Sequence, residues 1–143
     1  MRPALVLSCL IAAALTAPAA GPAHADVMPL RTPSGNIECS VGIGDTSDII
    51  CQIHERQGTP PRARPGGCRG AWGHNYELME QGAVRMTCGG PGPRNPSPGV
   101  FVARYGTSER FGDITCSSSE AGFECRNRDG HGFMLSRRMQ RVY

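Results

Sequence analysis

The sequence contains no lysine: all fifteen of its basic side chains are arginine. That bias reflects GC-rich coding more readily than a function. The arginines are also spread along the chain, so the small net positive charge gives no footprint for nucleic acid. Aromatic residues are scarce, at 6% of the chain with one tryptophan, Trp72. No Gly-x-Ser-x-Gly element marks a nucleophile. No glycine loop opens a helix in the way phosphate binding needs, because the glycines here accompany prolines. Asp45 and Asp48 flank a loop but miss the calcium-loop pattern. No Cys-x-x-Cys pair or histidine spacing marks a zinc site. The sequence therefore nominates no catalytic residue, no metal and no cofactor.

The one long apolar stretch lies at the start. Arg2, the run from Leu5 to Leu15 and the small-x-small triplet Ala23-His24-Ala25 read as a secretory signal spanning residues 1–25. The run falls short of the about 20 apolar residues of a membrane-spanning helix. Cys9 lies inside the run rather than closing it, which argues against a lipidated cysteine. Cleavage near Ala25 leaves 26–143 as a single secreted β domain, with no transmembrane helix. The expected location is extracellular or the cell envelope.

What the remaining chain does have is cysteine, glycine and proline. Cys39, Cys51, Cys68, Cys88, Cys116 and Cys125 form an even set in an exported chain, which implies a disulfide framework. A small domain buries too little apolar surface to offset chain entropy unaided. The expected pairing is sequential: Cys39 with Cys51, Cys68 with Cys88, and Cys116 with Cys125. Each pair falls on two adjacent expected strands, where Cα separations of about 4.5–5.5 Å suit a bridge. In the first hairpin, 36–41 and 48–53 alternate so that Ile37 would face Ile53 and Val41 would face Ile49, all on the face of Cys39 and Cys51. In the last hairpin the same register sets Ile114 against Asn127 and Ser118 against Phe123, a mixed face.

The remaining segments read less sharply. Asp26 to Pro33 reads as an extended, partly mobile leader. Pro60–Pro65 and Pro91–Pro98 read as surface loops, the second as either flexible or laid across the domain. Tyr76 to Cys88 reads as a second hairpin. Val100 to Tyr105 reads as a strand with Phe101 and Val102 as core candidates, and Tyr105 to Gly112 as a turn. Gly132 onward reads as the last strand, with Gly130 and Gly132 supplying positive φ around His131. The expected fold is all-β, with about seven or eight short strands in a disulfide-stapled sandwich or partly open barrel.

Three residues are candidates for a functional surface. Trp72 sits between glycines and is a platform or a core residue. His131 is presented by its turn, with Asp129 and several serines close in sequence. Arg137 opens the densest basic group.

The stretches Arg31-Thr-Pro-Ser-Gly-Asn-Ile-Glu-Cys39, Tyr105-Gly106, Gly112-x-x-x-Cys116, Gly122-Phe-Glu-Cys-Arg-Asn127 and Gly130-His-Gly-Phe-Met-Leu-Ser-Arg137 together resemble a family of small secreted actinobacterial proteins of unknown function. The resemblance implies export and no particular activity. Two function classes follow. One is a non-enzymatic extracellular or envelope module that binds a protein, a glycan or an envelope component. The other is a secreted hydrolase or ligand-modifying enzyme using His131.

Overall fold

The computed structural model describes residues 26–143. The signal segment, its cleavage point and Cys9 lie outside the described residues. Eleven strands form two antiparallel meanders: β1 (Asp26–Arg31), β2 (Ile37–Ile43), β3 (Asp48–Ile53), β4 (Asn75–Met79), β5 (Arg85–Thr87) and β6 (Phe101–Val102), then β7 (Thr107–Phe111), β8 (Ile114–Ser119), β9 (Gly122–Arg126), β10 (Gly132–Leu135) and β11 (Gln140–Val142). The first sheet has the order β5-β4-β3-β2-β1-β6 and the second β11-β10-β9-β8-β7. Only the two-residue β6, beside β1, pairs in parallel. The sheets are not closed into a barrel; they face each other across one core. No helix of the described residues is long and apolar enough to cross a membrane.

Alternation builds that core. Ile37, Cys39 and Val41 on β2 and Ile49, Cys51 and Ile53 on β3 point inward and are buried. Their register sets Ile37 against Ile53, Cys39 against Cys51 and Val41 against Ile49, as the sequence predicts. From the second sheet come Phe111, Ile114, Cys116, Phe123, Cys125, Phe133 and Leu135. Tyr76 and Phe133, from opposite sheets, approach to 5.9 Å between ring centroids with a tilt of 48°, a favourable aromatic arrangement. The mixed face of the last hairpin is real: Ser118 lies opposite Phe123, and both Ser118 and Asn127 are buried.

All three bridges form in the sequential pairing. Cys39–Cys51 and Cys116–Cys125 each join directly opposed strand residues 4.0 Å apart at Cα, inside the core. Cys68–Cys88 differs from the expectation that every pair sits on two strands. Cys68 lies in a loop and Cys88 just beyond β5, 5.5 Å apart at Cα, and Cys88 is exposed.

Five local expectations change. Asp26 to Arg31 is not a mobile leader but β1, paired residue for residue with β2. Pro29 is tolerated there because β6 pairs only with Leu30 and Arg31, so the strand is an edge at the proline. Phe101 and Val102 are 38% and 36% exposed; the core side chains of that segment are the flanking Val100 and Ala103. Thr107 to Phe111 is strand rather than turn, and the last segment folds back at 136–139 to give two strands. Gly130 has positive φ (83°), whereas Gly132 does not: a Cβ there would stand 2.0 Å from the Cys125 carbonyl oxygen. Gly132 is fixed by close strand approach, not by backbone hand.

Both proline-rich loops are tied down. Arg62 donates to the Val84 carbonyl (2.7 Å) and accepts at its own carbonyl from Trp72 Nε1 (2.8 Å). The 91–98 loop lies across the outer face of the first sheet rather than hanging free. Gly92 N–H donates to Gln52 Oε1 (2.7 Å), and Asn95 N–H donates to the Glu38 carboxylate (3.2 Å).

Candidate functional site

Between the sheets, at the end where the 32–36 turn meets the β8–β9 turn, lies a cleft of about 200 Å³. Thr32, Ser34, Asn36 and Ile37 form one wall, and Tyr105, Ser119, Glu120 and Gly122 the other, with Ser136 and Arg137 closing it beyond β10. All but Ser119 and Glu120 belong to the stretches that carry the family resemblance, which are far apart in sequence.

Local chemistry shapes each wall. Gly35 takes φ of 67°, closing a turn in which its N–H donates to the Thr32 carbonyl (2.9 Å). Thr32 Oγ1 and Ser34 Oγ lie 3.3 Å apart, and Ser34 Oγ accepts from the Asn36 N–H (3.3 Å). Asn36 uses its whole amide on Glu55, accepting from the Glu55 N–H (2.8 Å) and donating to the Glu55 carbonyl (3.0 Å). The Glu55 carboxylate then pairs with Arg137 (2.8 Å) and stands 3.7 Å from Arg94. Asn36 thereby positions Arg137 through Glu55. Opposite, the Ser119 hydroxyl donates to the Gly122 carbonyl (3.2 Å), tightening the turn that carries Glu120. Tyr105 is 42% exposed. The cleft thus offers hydroxyls, one carboxylate, one guanidinium and one open aromatic ring. No group in it is set against a base as a nucleophile requires.

The three candidate residues do not meet. Arg137 lines the cleft. Trp72 is partly buried against the core, where its N–H holds the 60–65 loop. His131 stands at the opposite end of β10 from Arg137. Its Nδ1 is 3.1 Å from the Tyr143 carbonyl oxygen, and its N–H donates to Asn127 Oδ1 (3.0 Å). No hydroxyl or thiol hydrogen-bonds to its ring among the described residues.

A second polar cluster escaped the sequence reading. Glu38 and His54, both with nearly enclosed side chains, pair at 3.1 Å beneath the 91–98 loop. The signal was present: with Ile37 opposite Ile53, Glu38 falls opposite Gln52 on the outer face, one step from His54. What could not be seen was the loop that buries them. No group of three or more metal-ligating side chains occurs among the described residues.

No curated protein and no solved structure matches this chain. A family described as a family of unknown function (DUF6636) matches residues 6–143.

Proposed function

The chain belongs to the DUF6636 family, of unknown function, and from that premise we propose that it is a non-enzymatic extracellular or envelope binding module acting through the cleft between its sheets. The observation that carries this reading is the convergence there of four separated sequence stretches around an open Tyr105 and an exposed Glu120. Concave sites with a few placed polar groups are where ligands bind. Export of a form beginning near Asp26 accords with three disulfides, which form and persist in oxidising spaces. The ligand is a hydroxyl-bearing envelope component, that is, a glycan rather than a protein. The cleft is small and polar, not the broad apolar-cored patch of a protein interface. The test is co-sedimentation with insoluble cell-wall material. Tyr105→Ala and Arg137→Ala should release the protein into the supernatant, and His131→Ala should not. Turnover of any wall polymer that His131→Ala abolishes would replace this reading with the hydrolase.

A further inference from the structure

We infer that the cleft is one end of a longer track that takes a linear neutral polysaccharide, a proposal that rests on the cleft being a binding site. A second depression, of about 430 Å³, shares Ser34 with the cleft and is flanked by Arg31, Arg94 and Asn95. A third, of about 190 Å³, shares Glu38 and Asn95 with the second and extends to Pro29 and Pro93 on the outer face of the first sheet. The first two meet at Ser34 on the 33–35 turn, and the second and third meet at Glu38 and Asn95, where the Asn95 N–H is bonded to the Glu38 carboxylate. The 91–98 loop supplies a wall of the second and third, which gives that loop a purpose beyond covering the sheet.

Charge selects the class of polymer. Arg94 and Arg137 along the track are already paired with Glu55, and Glu38 is enclosed against His54, which leaves Arg31 and Glu120 as free charges of opposite sign. An acidic chain would meet Glu120 and a basic one Arg31. A sugar hydroxyl both donates and accepts, so a neutral glycan uses both kinds of group. Arg31 is half-buried, and its side chain has no hydrogen-bond or ion-pair partner among the described residues; Glu120 likewise has none. These are the two groups free to bind, one on each side of the 32–36 turn. Tyr105 offers a flat face for the C–H side of a pyranose or furanose ring, and Pro29 and Pro93 offer rigid apolar edges at the far end.

The experiment titrates the disulfide-bonded protein with neutral gluco-, manno-, galacto- and arabino-oligosaccharides of one, three and six units, and with a uronic-acid hexamer, followed by amide NMR shifts. One neutral series should bind about tenfold or more tighter as hexamer than as monosaccharide, the signature of added subsites. Arg31→Gln should weaken the hexamer and leave the monosaccharide unchanged, while Tyr105→Ala should weaken both. Equal affinity for one and six units, a hexamer indifferent to Arg31→Gln, or preference for the uronate overturns the track and leaves the cleft standing. Saccharide binding indifferent to Tyr105→Ala overturns both. If no saccharide binds, the track is refuted, and wall co-sedimentation decides the cleft separately.

Discussion

Asn127 is the side chain with most hydrogen bonds to lose. Its amide donates to the Met79 (3.0 Å) and Gly82 (2.7 Å) carbonyls of the β4–β5 hairpin, and its oxygen accepts from the Asp129 and His131 N–H groups. One buried residue thus ties the second sheet to the first and shapes the turn before β10. Asn127→Ala leaves several buried groups unpaired, each costing about 1–3 kcal/mol, so chemical denaturation should show a loss at the upper end of single-residue effects. The glycines of that turn should separate. Gly130→Ala should cost about 1 kcal/mol for its positive φ. Gly132→Ala should cost more, because the clash is with backbone. His131→Ala, losing one exposed side-chain contact, should be milder than either, and thermal melts with the bridges intact would rank all three. Tyr76 gives a pH signature. Burial pushes its phenol up to about 12, against the lowering effect of Arg56. The folded form therefore holds the proton more tightly than the unfolded chain, whose tyrosine ionises near pH 10. That contribution is complete below about pH 10 and is lost progressively as pH rises to about 12. Tyr76→Phe, which also gives up a hydrogen bond to the Gly73 carbonyl (3.0 Å), should flatten the decline when unfolding is followed from pH 9 to 12.

The loops behave as elements with their own fastenings. Glu38, Gln52 and Asn75 on the outer face of the first sheet hold the 89–98 segment through backbone groups of Gly89, Gly90, Gly92 and Asn95. Glu38→Ala should raise amide exchange at Asn95 while leaving strand amides of the core protected, since the carboxylate's other partners are the side chains of Gln52 and His54 and not the strand ladder. If core exchange rose in parallel, Glu38 would instead be part of the global fold. The surface bridge should be separable in the same way. Cys68–Cys88 has an exposed sulfur partner, whereas the other two bridges lie in the core, and access governs thiol exchange. Graded reduction with alkylation and peptide mapping should label Cys68 and Cys88 first. The accompanying change should be confined to the 57–74 loop and seen in Trp72 fluorescence.

At the scale of the molecule, stability comes from two faces closing on each other. Tyr76, Phe123 and Phe133 are its largest fully enclosed side chains. Phe133→Ala should cost roughly 3–5 kcal/mol, more than Tyr105→Ala in the cleft, where the ring is open. A binding-deficient Tyr105→Ala protein should accordingly melt close to the unaltered one, which separates function from fold.

What the sequence determined by itself was whatever depends on neighbours a hairpin apart. The alternation in 37–41 and 48–53, with one cysteine on each arm, sets both the inner face and the bridge. A slip of one residue would turn Ile37, Cys39 and Val41 outward together. The same logic placed Cys116 opposite Cys125 and exposed the mixed face of Ser118 and Asn127. Strand identity failed in β1, where the prolines argued for a leader, and in β7, which reads as part of a turn; β6 was read as strand, but its two residues carry too little alternation to show which side chains face the core. The candidate site was legible only as motifs. Thr32-Pro-Ser-Gly-Asn36, Tyr105, Gly122 and Ser136-Arg137 are unremarkable singly, and nothing local says that they meet. Their meeting, the path of the 91–98 loop over Glu38 and His54, and the distance between His131 and Arg137 were decided by the tertiary structure alone. Those relations come from how two sheets dock and where irregular loops cross them, and such long-range contacts leave no period in the chain.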